Sequence, residues 1–233
     1  MDDIHDVDLT HSLFEVRKAI RDAALSQGRD ADAVTLVAAS KTVSPDRLER
    51  AIRLGQCTFG ENRVQEAKEK WPSIRDCYPQ IKLHLVGGLQ SNKARDAIAL
   101  FDAIQSVDRQ NLAQALAVES QRQGRCPEIY IQVNTGREDQ KNGAPVEGID
   151  DFINVCRQSY QLDVVGLMCI PPADCDPSSD FALLGAIAAR NGLGLLSMGM
   201  SSDFKQAIAH GATHVRIGSA IFGSRPTTAV FSL

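Results

Sequence analysis

Eight short apolar or β-branched runs recur along this chain, each followed by a polar turn and a stretch of helical periodicity. The runs are Val34–Ser40, Cys57–Glu61, Ile81–Val86, Ala103–Val107, Glu128–Val133, Val164–Ile170, Leu195–Met200 and Val215–Ile217. Between them the helical spacing predicts Pro45–Leu54, Val64–Trp71, Lys93–Leu100, Gln110–Gln123, Val146–Gln158, Asp180–Ala189 and Asp203–His210. Ser44 followed by Pro45 reads as a helix start, and Gly55, Gly124, Gly192 and Gly211 sit where helices should stop. An eightfold βα alternation within 233 residues is the pattern of a (β/α)8 TIM barrel, an α/β fold. An amphipathic stretch, Leu9–Gln27, precedes the first strand and is expected to add an N-terminal helix. A doubly wound open sheet competes, but it would show a Gly-rich turn after strand one, where this chain reads Ala38-Ala39-Ser40-Lys41. No Pro/Gly/Ser-rich linker divides residues 1–233, so a single domain is expected.

Composition excludes several functions. Net charge is −4, from 25 basic and 29 acidic residues, which leaves no electrostatic footprint for nucleic acid. No apolar stretch is long enough to span a bilayer. The opening MDDIHDVDLT is acidic where a secretory leader is basic, so a cytoplasmic location is expected. The six cysteines form no C-x-x-C and accompany no histidine pair at zinc spacing. They read as reduced thiols, and no metal is expected.

In a barrel the chemistry sits at the C-terminal ends of the strands. Lys41 follows the apolar run VTLVAAS and should project toward the barrel mouth. Held against apolar walls, a lysine loses preference for its charged form, and the neutral amine is the nucleophile for a Schiff base. A lysine that only snorkels into solvent is the plainer reading of the same position. The loops after strands seven and eight, Gly199-Met200-Ser201-Ser202-Asp203 and Arg216-Ile217-Gly218-Ser219, have the composition of a barrel phosphate site. Strand one adjoins strand eight in a closed barrel, so an amine would face phosphate donors. That combination calls for a phosphorylated aldehyde, pyridoxal 5′-phosphate (PLP). Arg216 would then meet the ring nitrogen, donating to it because a guanidinium has no lone pair to accept with. A structural ion pair at the strand end is the alternative.

These segments resemble the YggS/PROSC family of pyridoxal phosphate homeostasis proteins. The matching stretches are Ala39-Ser40-Lys41-Thr42, Phe59-Gly60-Glu61-Asn62 and His84-Leu85-Val86-Gly87 leading to Leu89-Gln90-Ser91-Asn92-Lys93. Further on come Gly166-Leu167-Met168, Ser197-Met198-Gly199-Met200-Ser201 and Val215-Arg216-Ile217-Gly218-Ser219. The resemblance extends to Arg225. It implies a fold-type III PLP barrel like the N-terminal domain of alanine racemase, with PLP linked to Lys41. It implies Asn62 near the cofactor, Ser201, Gly218 and Ser219 at its phosphate, Arg216 at the pyridine nitrogen, and Met168 and His84 lining the pocket. It also implies a role in vitamin B6 supply and amino-acid homeostasis without a defined turnover. Candidate recipients are apo-enzymes that use PLP, and a monomer is expected. Two positions depart from the family: Arg63, where tyrosine is common, and Gly88, where proline is common.

The rival is a PLP-dependent amino-acid racemase, which needs acid/base groups on both faces of the reacting carbon. Lysine serves one face; in the racemases a tyrosine from an additional domain serves the other. Tyr78, Tyr130 and Tyr160 are the tyrosines here, and none falls at a strand end that should carry chemistry. A barrel binding a phosphosugar or nucleotide with Lys41 unmodified is a third reading. Lys141 reads as a solvated loop charge, and Trp71 should end a helix before Pro72 and pack outside the barrel.

Overall fold

A computed structural model describes residues 3–223 apart from Asp139, Lys141 and Asp174, with backbone alone for residues 3–8. Lys141 and Arg225 lie outside the described residues. All eight expected strands form: β1 (Thr35–Ala39), β2 (Thr58–Glu61), β3 (Lys82–Leu85), β4 (Ala103–Val107), β5 (Glu128–Gln132), β6 (Val164–Met168), β7 (Leu195–Ser197) and β8 (His214–Ile217). They pair in parallel and in chain order, and β8 returns to β1 to close the barrel. That closure sets Val37 opposite Arg216 and Ala38 opposite Ile217. The closed barrel rules out the open doubly wound sheet.

The helices follow the strands: α1 (Asp3–Ser26) leads, then α2 (Pro45–Arg53), α3 (Val64–Cys77), α4 (Ala94–Leu100), α5 (Gln110–Gln123), α6 (Ile149–Asn154), α7 (Ser178–Arg190), α8 (Phe204–Ala209) and α9 (Ser219–Phe222). Leu9, Leu13, Val16, Ile20 and Ala24 recur every three or four residues on α1 and are all buried. That stripe packs α1 against α8 and α9. The main core lies between the outer face of the sheet and the helices, whereas Ala103, Tyr130 and Met168 form a small cluster of their own.

Helices α3 and α6 differ from the sequence reading, and α1 starts at Asp3, ahead of the expected Leu9. Helix α3 does not stop at Trp71 but continues through Pro72 to Cys77. Proline inside a helix costs about 3 kcal/mol. Burial of Trp71 and Ile74 on either side, at roughly 2 kcal/mol or more each, offsets it. The Trp71 ring does pack outside the strands, 5.0 Å from the Phe59 ring. Helix α6 starts at Ile149 rather than Val146, because Gly148 takes φ +79, outside helical space. It ends in a π-helical turn over Val155–Ser159.

Candidate functional site

Lys41 is set on a clamped base. The residue before it, Ser40, is fully buried, and its hydroxyl donates to Glu61 Oε1 at 2.8 Å. The Ser40 amide donates to Gly60 O at 2.9 Å, and its carbonyl accepts from Lys70 Nζ at 3.0 Å. Glu61 Oε1 also accepts from Trp71 Nε1 at 2.9 Å. The residue after Lys41, Thr42, sits at φ +64, an uncommon conformation for a β-branched side chain. Thr42 Oγ1 donates to the Lys41 carbonyl at 2.6 Å. The half-buried Lys41 side chain is thereby delivered from a fixed backbone.

Lys41 opens into a cavity of about 710 Å³ between the ends of β1 and β8. Ser201, Arg216, Gly218 and Ser219 line the same cavity, together with Arg47 from α2. Ser201 Oγ and Ser219 Oγ lie 3.3 Å apart. Gly218 is required by close packing: a Cβ there would come within 2.9 Å of Ala39 O. Beyond it, the first amides of α9 have no partner inside the helix. Among the described residues, the lining contains three cationic side chains, Lys41, Arg47 and Arg216, and no carboxylate.

Arg216 is buried, with 6% exposure. Its guanidinium donates to Ser197 Oγ at 2.8 Å and to the Cys169 carbonyl at 2.9 Å. Among the described residues it has no ion pair, so the structural ion pair considered for it is absent. Burial pulls its pKa below the usual arginine value, with partial relief from Cys169 and Asp203. A buried cation without a counter-ion is costly. Here it faces a cavity with donors to spare, which suits an anionic or lone-pair-bearing ligand. An amine, two facing hydroxyls and an arginine that only donates match the aldehyde, phosphate and pyridine nitrogen of PLP.

Three residues expected at the cofactor do not line this cavity. His84 is buried on β3, its Nδ1 2.9 Å from Gln105 Nε2 and its ring 6.0 Å from that of His214. Burial drops its pKa to about 3. Met168 is fully buried against Ala103 and Tyr130. Asn62 lies at the end of β2 with its backbone against Gly87, where a Cβ would come within 2.2 Å of Asn62 O. Gly88 presents the same close approach to a loop, with Asn142 Nδ2 3.1 Å from a Cβ built there. The other departure, Arg63, is exposed and pairs with Glu66 at 3.4 Å. The sequence reading missed Lys70 and Arg47. The i, i+9 spacing of Glu61 and Lys70 across a strand–helix turn was the available signal for the first.

A family model for the alanine racemase N-terminal domain matches residues 20–226. The pyridoxal phosphate homeostasis protein of Escherichia coli strain K12 is 35% identical over 229 residues, covering 94% of this chain and 97% of that one. The human protein of the same name is 37% identical, covering 92% of this chain and 86% of that one. The structure of PipY from Synechococcus elongatus with PLP bound is 35% identical with a TM-score of 0.75, covering 88% of this chain and 99% of that one. With matches of this extent, the chain belongs to the pyridoxal phosphate homeostasis proteins, built on the alanine racemase N-terminal domain.

Proposed function

We propose that this chain captures pyridoxal 5′-phosphate on Lys41, holds it, and releases it to apo-enzymes that need it, without robust turnover of its own. One observation carries the reading: Lys41 and a buried Arg216, which has no ion pair among the described residues, line one cavity with Ser201 and Ser219. When bound, the cofactor supplies a carbonyl that an amine can capture and a ring whose electron demand depends on its nitrogen. Arg216 can only donate to that nitrogen, so it holds the ring unprotonated and weakens it as an electron sink. Ser201 and Ser219 receive the phosphate, and Arg47 adds charge at the mouth.

A racemase reading needs a second proton-transfer group opposite the lysine. Among the described residues, no tyrosine, histidine or carboxylate lines the cavity. Tyr130 is fully buried, its hydroxyl 3.5 Å from His214 Nε2, and burial pushes its pKa up. Tyr78 lies at the surface, where its hydroxyl meets Arg53 Nε at 3.4 Å. The four exposed, unbridged cysteines fit a reducing, cytoplasmic setting.

The full chain mixed with PLP should develop the absorbance band of lysine-linked cofactor, and Lys41→Ala should abolish it. Borohydride reduction should fix a lysyl adduct on the peptide containing Lys41. An unchanged band in Lys41→Ala overturns the site, and an unmodified Lys41 points to the phosphosugar or nucleotide reading. Robust turnover of an L- or D-amino acid by the isolated chain overturns the carrier reading. Transfer to an apo-enzyme faster than spontaneous release supports delivery.

A further inference from the structure

Beneath the cavity floor, a continuous chain of buried polar groups crosses the barrel from β8 to β3. Arg216 Nη1 donates to Ser197 Oγ at 2.8 Å. Ser197 Oγ donates to Gln105 Oε1 at 2.6 Å, and Gln105 Nε2 lies 2.9 Å from His84 Nδ1. Ser197 and Gln105 are fully buried. Arg216 and Ser197 sit on the neighbouring strands β8 and β7, and Gln105 and His84 on the neighbouring strands β4 and β3; the Ser197–Gln105 bond joins β7 to β4, which are not neighbours, and so spans the barrel interior.

The direction of every bond follows from one end. A guanidinium only donates, so Ser197 Oγ accepts from Arg216 and must spend its proton elsewhere. Gln105 Oε1 is its one remaining partner among the described residues. The Gln105 amide is thereby oriented with its NH2 toward His84, whose Nδ1 must be bare. His84 is therefore neutral and carries its proton on Nε2. Reversing the chain would leave the Ser197 proton without an acceptor in the interior, at about 1–3 kcal/mol for the orphaned group.

We propose that Ser197 and Gln105 are positioning residues that hold Arg216 as a fixed donor to the ligand's ring nitrogen, in a one-way chain ending on His84 as the Nε2–H tautomer. Below Arg216 every donation runs away from the ligand, toward His84. No proton can pass along the chain toward the ring, and protonating His84 at Nδ1 would require the whole chain to reverse. The barrel interior thus keeps the ring nitrogen unprotonated, a specific route to holding a cofactor without activating it. The ligand side of this inference rests on the PLP reading above; the tautomer side does not.

The test uses the full chain with 15N-labelled histidine and long-range 1H–15N correlation spectra, with and without PLP, and His84→Gln to assign the signal. The wild-type His84 should give the Nε2–H pattern unchanged between pH 5.5 and 8. Gln105→Glu replaces the amide donor with an acceptor and should move the His84 proton to Nδ1. Ser197→Ala removes one of the two anchors of Arg216 and should weaken PLP binding about tenfold or more. It should also shift the bound-cofactor absorbance band, and Ser197→Thr should restore both. An Nδ1–H signal in the wild type overturns the chain, as does wild-type affinity and band position in Ser197→Ala. If Ser197→Ala fails to fold, Ser197→Thr and Gln105→Glu decide alone. Failure of the wild type to bind PLP would sink the functional reading while leaving the histidine spectra to judge the chain.

Discussion

Glu61 Oε1 lies 2.6 Å from Lys70 Nζ, and the pair ties the ends of β1 and β2 to α3 directly behind Lys41. Glu61 is fully buried, and Lys70 is 11% exposed on its side chain. Lys70 also donates to the Ser40 carbonyl, so one ammonium neutralises the carboxylate and fixes the residue preceding Lys41.

Breaking this pair should therefore act twice. Lys70→Ala leaves a carboxylate buried without a cation, a change that costs on the order of 3–5 kcal/mol. Urea unfolding followed by the fluorescence of Trp71, whose indole donates to the same carboxylate, measures the loss. Lys70→Met, close in length but uncharged, should be nearly as damaging. The folded fraction should also capture PLP more slowly than wild type, read as the rate of band appearance. A wild-type unfolding midpoint for Lys70→Ala would show that the pair contributes nothing net.

Acid should weaken the fold earlier than carboxylate titration alone would. Burial, with opposition from His214, holds the His84 pKa at about 3. Burial, with the charge of Arg216, holds that of His214 at about 4. Both lie below the unfolded histidine value of about 6.5. The unfolded chain then binds more protons across that window, so stability falls with pH. The full contribution is present above about pH 6.5. It is lost progressively toward pH 4 for His214 and pH 3 for His84, with no further loss below. Denaturant midpoints should begin to drop near pH 6, and His214→Gln should flatten the early part of that decline.

Arg47 should set a preference for a phosphorylated ligand. It lines the cavity beside Lys41 and Arg216, with no carboxylate among the described lining residues to offset it. Arg47→Ala should weaken PLP binding by roughly tenfold, the scale of a charge-assisted hydrogen bond. Binding of unphosphorylated pyridoxal should hardly change. Raising salt should weaken PLP binding to wild type more than to the variant. Equal losses for both ligands would mean that Arg47 only shapes the cavity wall.

The barrel was legible because its strands are written as short, largely apolar or β-branched runs separated by turn residues, and all eight fall where those runs do. Lys41, Ser201, Arg216, Gly218 and Ser219 were legible because strand ends in a closed barrel converge on one mouth. What escaped is set by contacts across the interior. All five residues of β4 are buried, so Gln105 hides inside what reads as an apolar strand. Its partners Ser197 and His84 lie 92 and 21 residues away in sequence. Met168 and His84 were expected at the pocket from their motifs. Both side chains are buried, Met168 at a strand position opposite Ser197 and His84 opposite Gly60 and Ala103.

Gly218 offers a test of how tightly the proposed phosphate end is built. Its φ of −124 is open to any residue, so backbone strain plays no part. Space is the constraint: a Cβ would lie 2.9 Å from Ala39 O and 3.2 Å from Ala39 Cβ, and the backbone oxygen cannot rotate away. Gly218→Ala must therefore push the end of β8 from β1, where Lys41 and Ser219 face the cavity together. Overpacking of this kind costs about 1–3 kcal/mol. PLP affinity should fall by more than the stability loss alone explains, because the donors separate from the amine. Gly194→Ala is the control, since nothing lies within 4 Å of a Cβ there. It should leave the melting temperature and PLP binding at wild-type values. Wild-type affinity in Gly218→Ala would mean that the β1–β8 seam tolerates spreading, and that the phosphate is not gripped there.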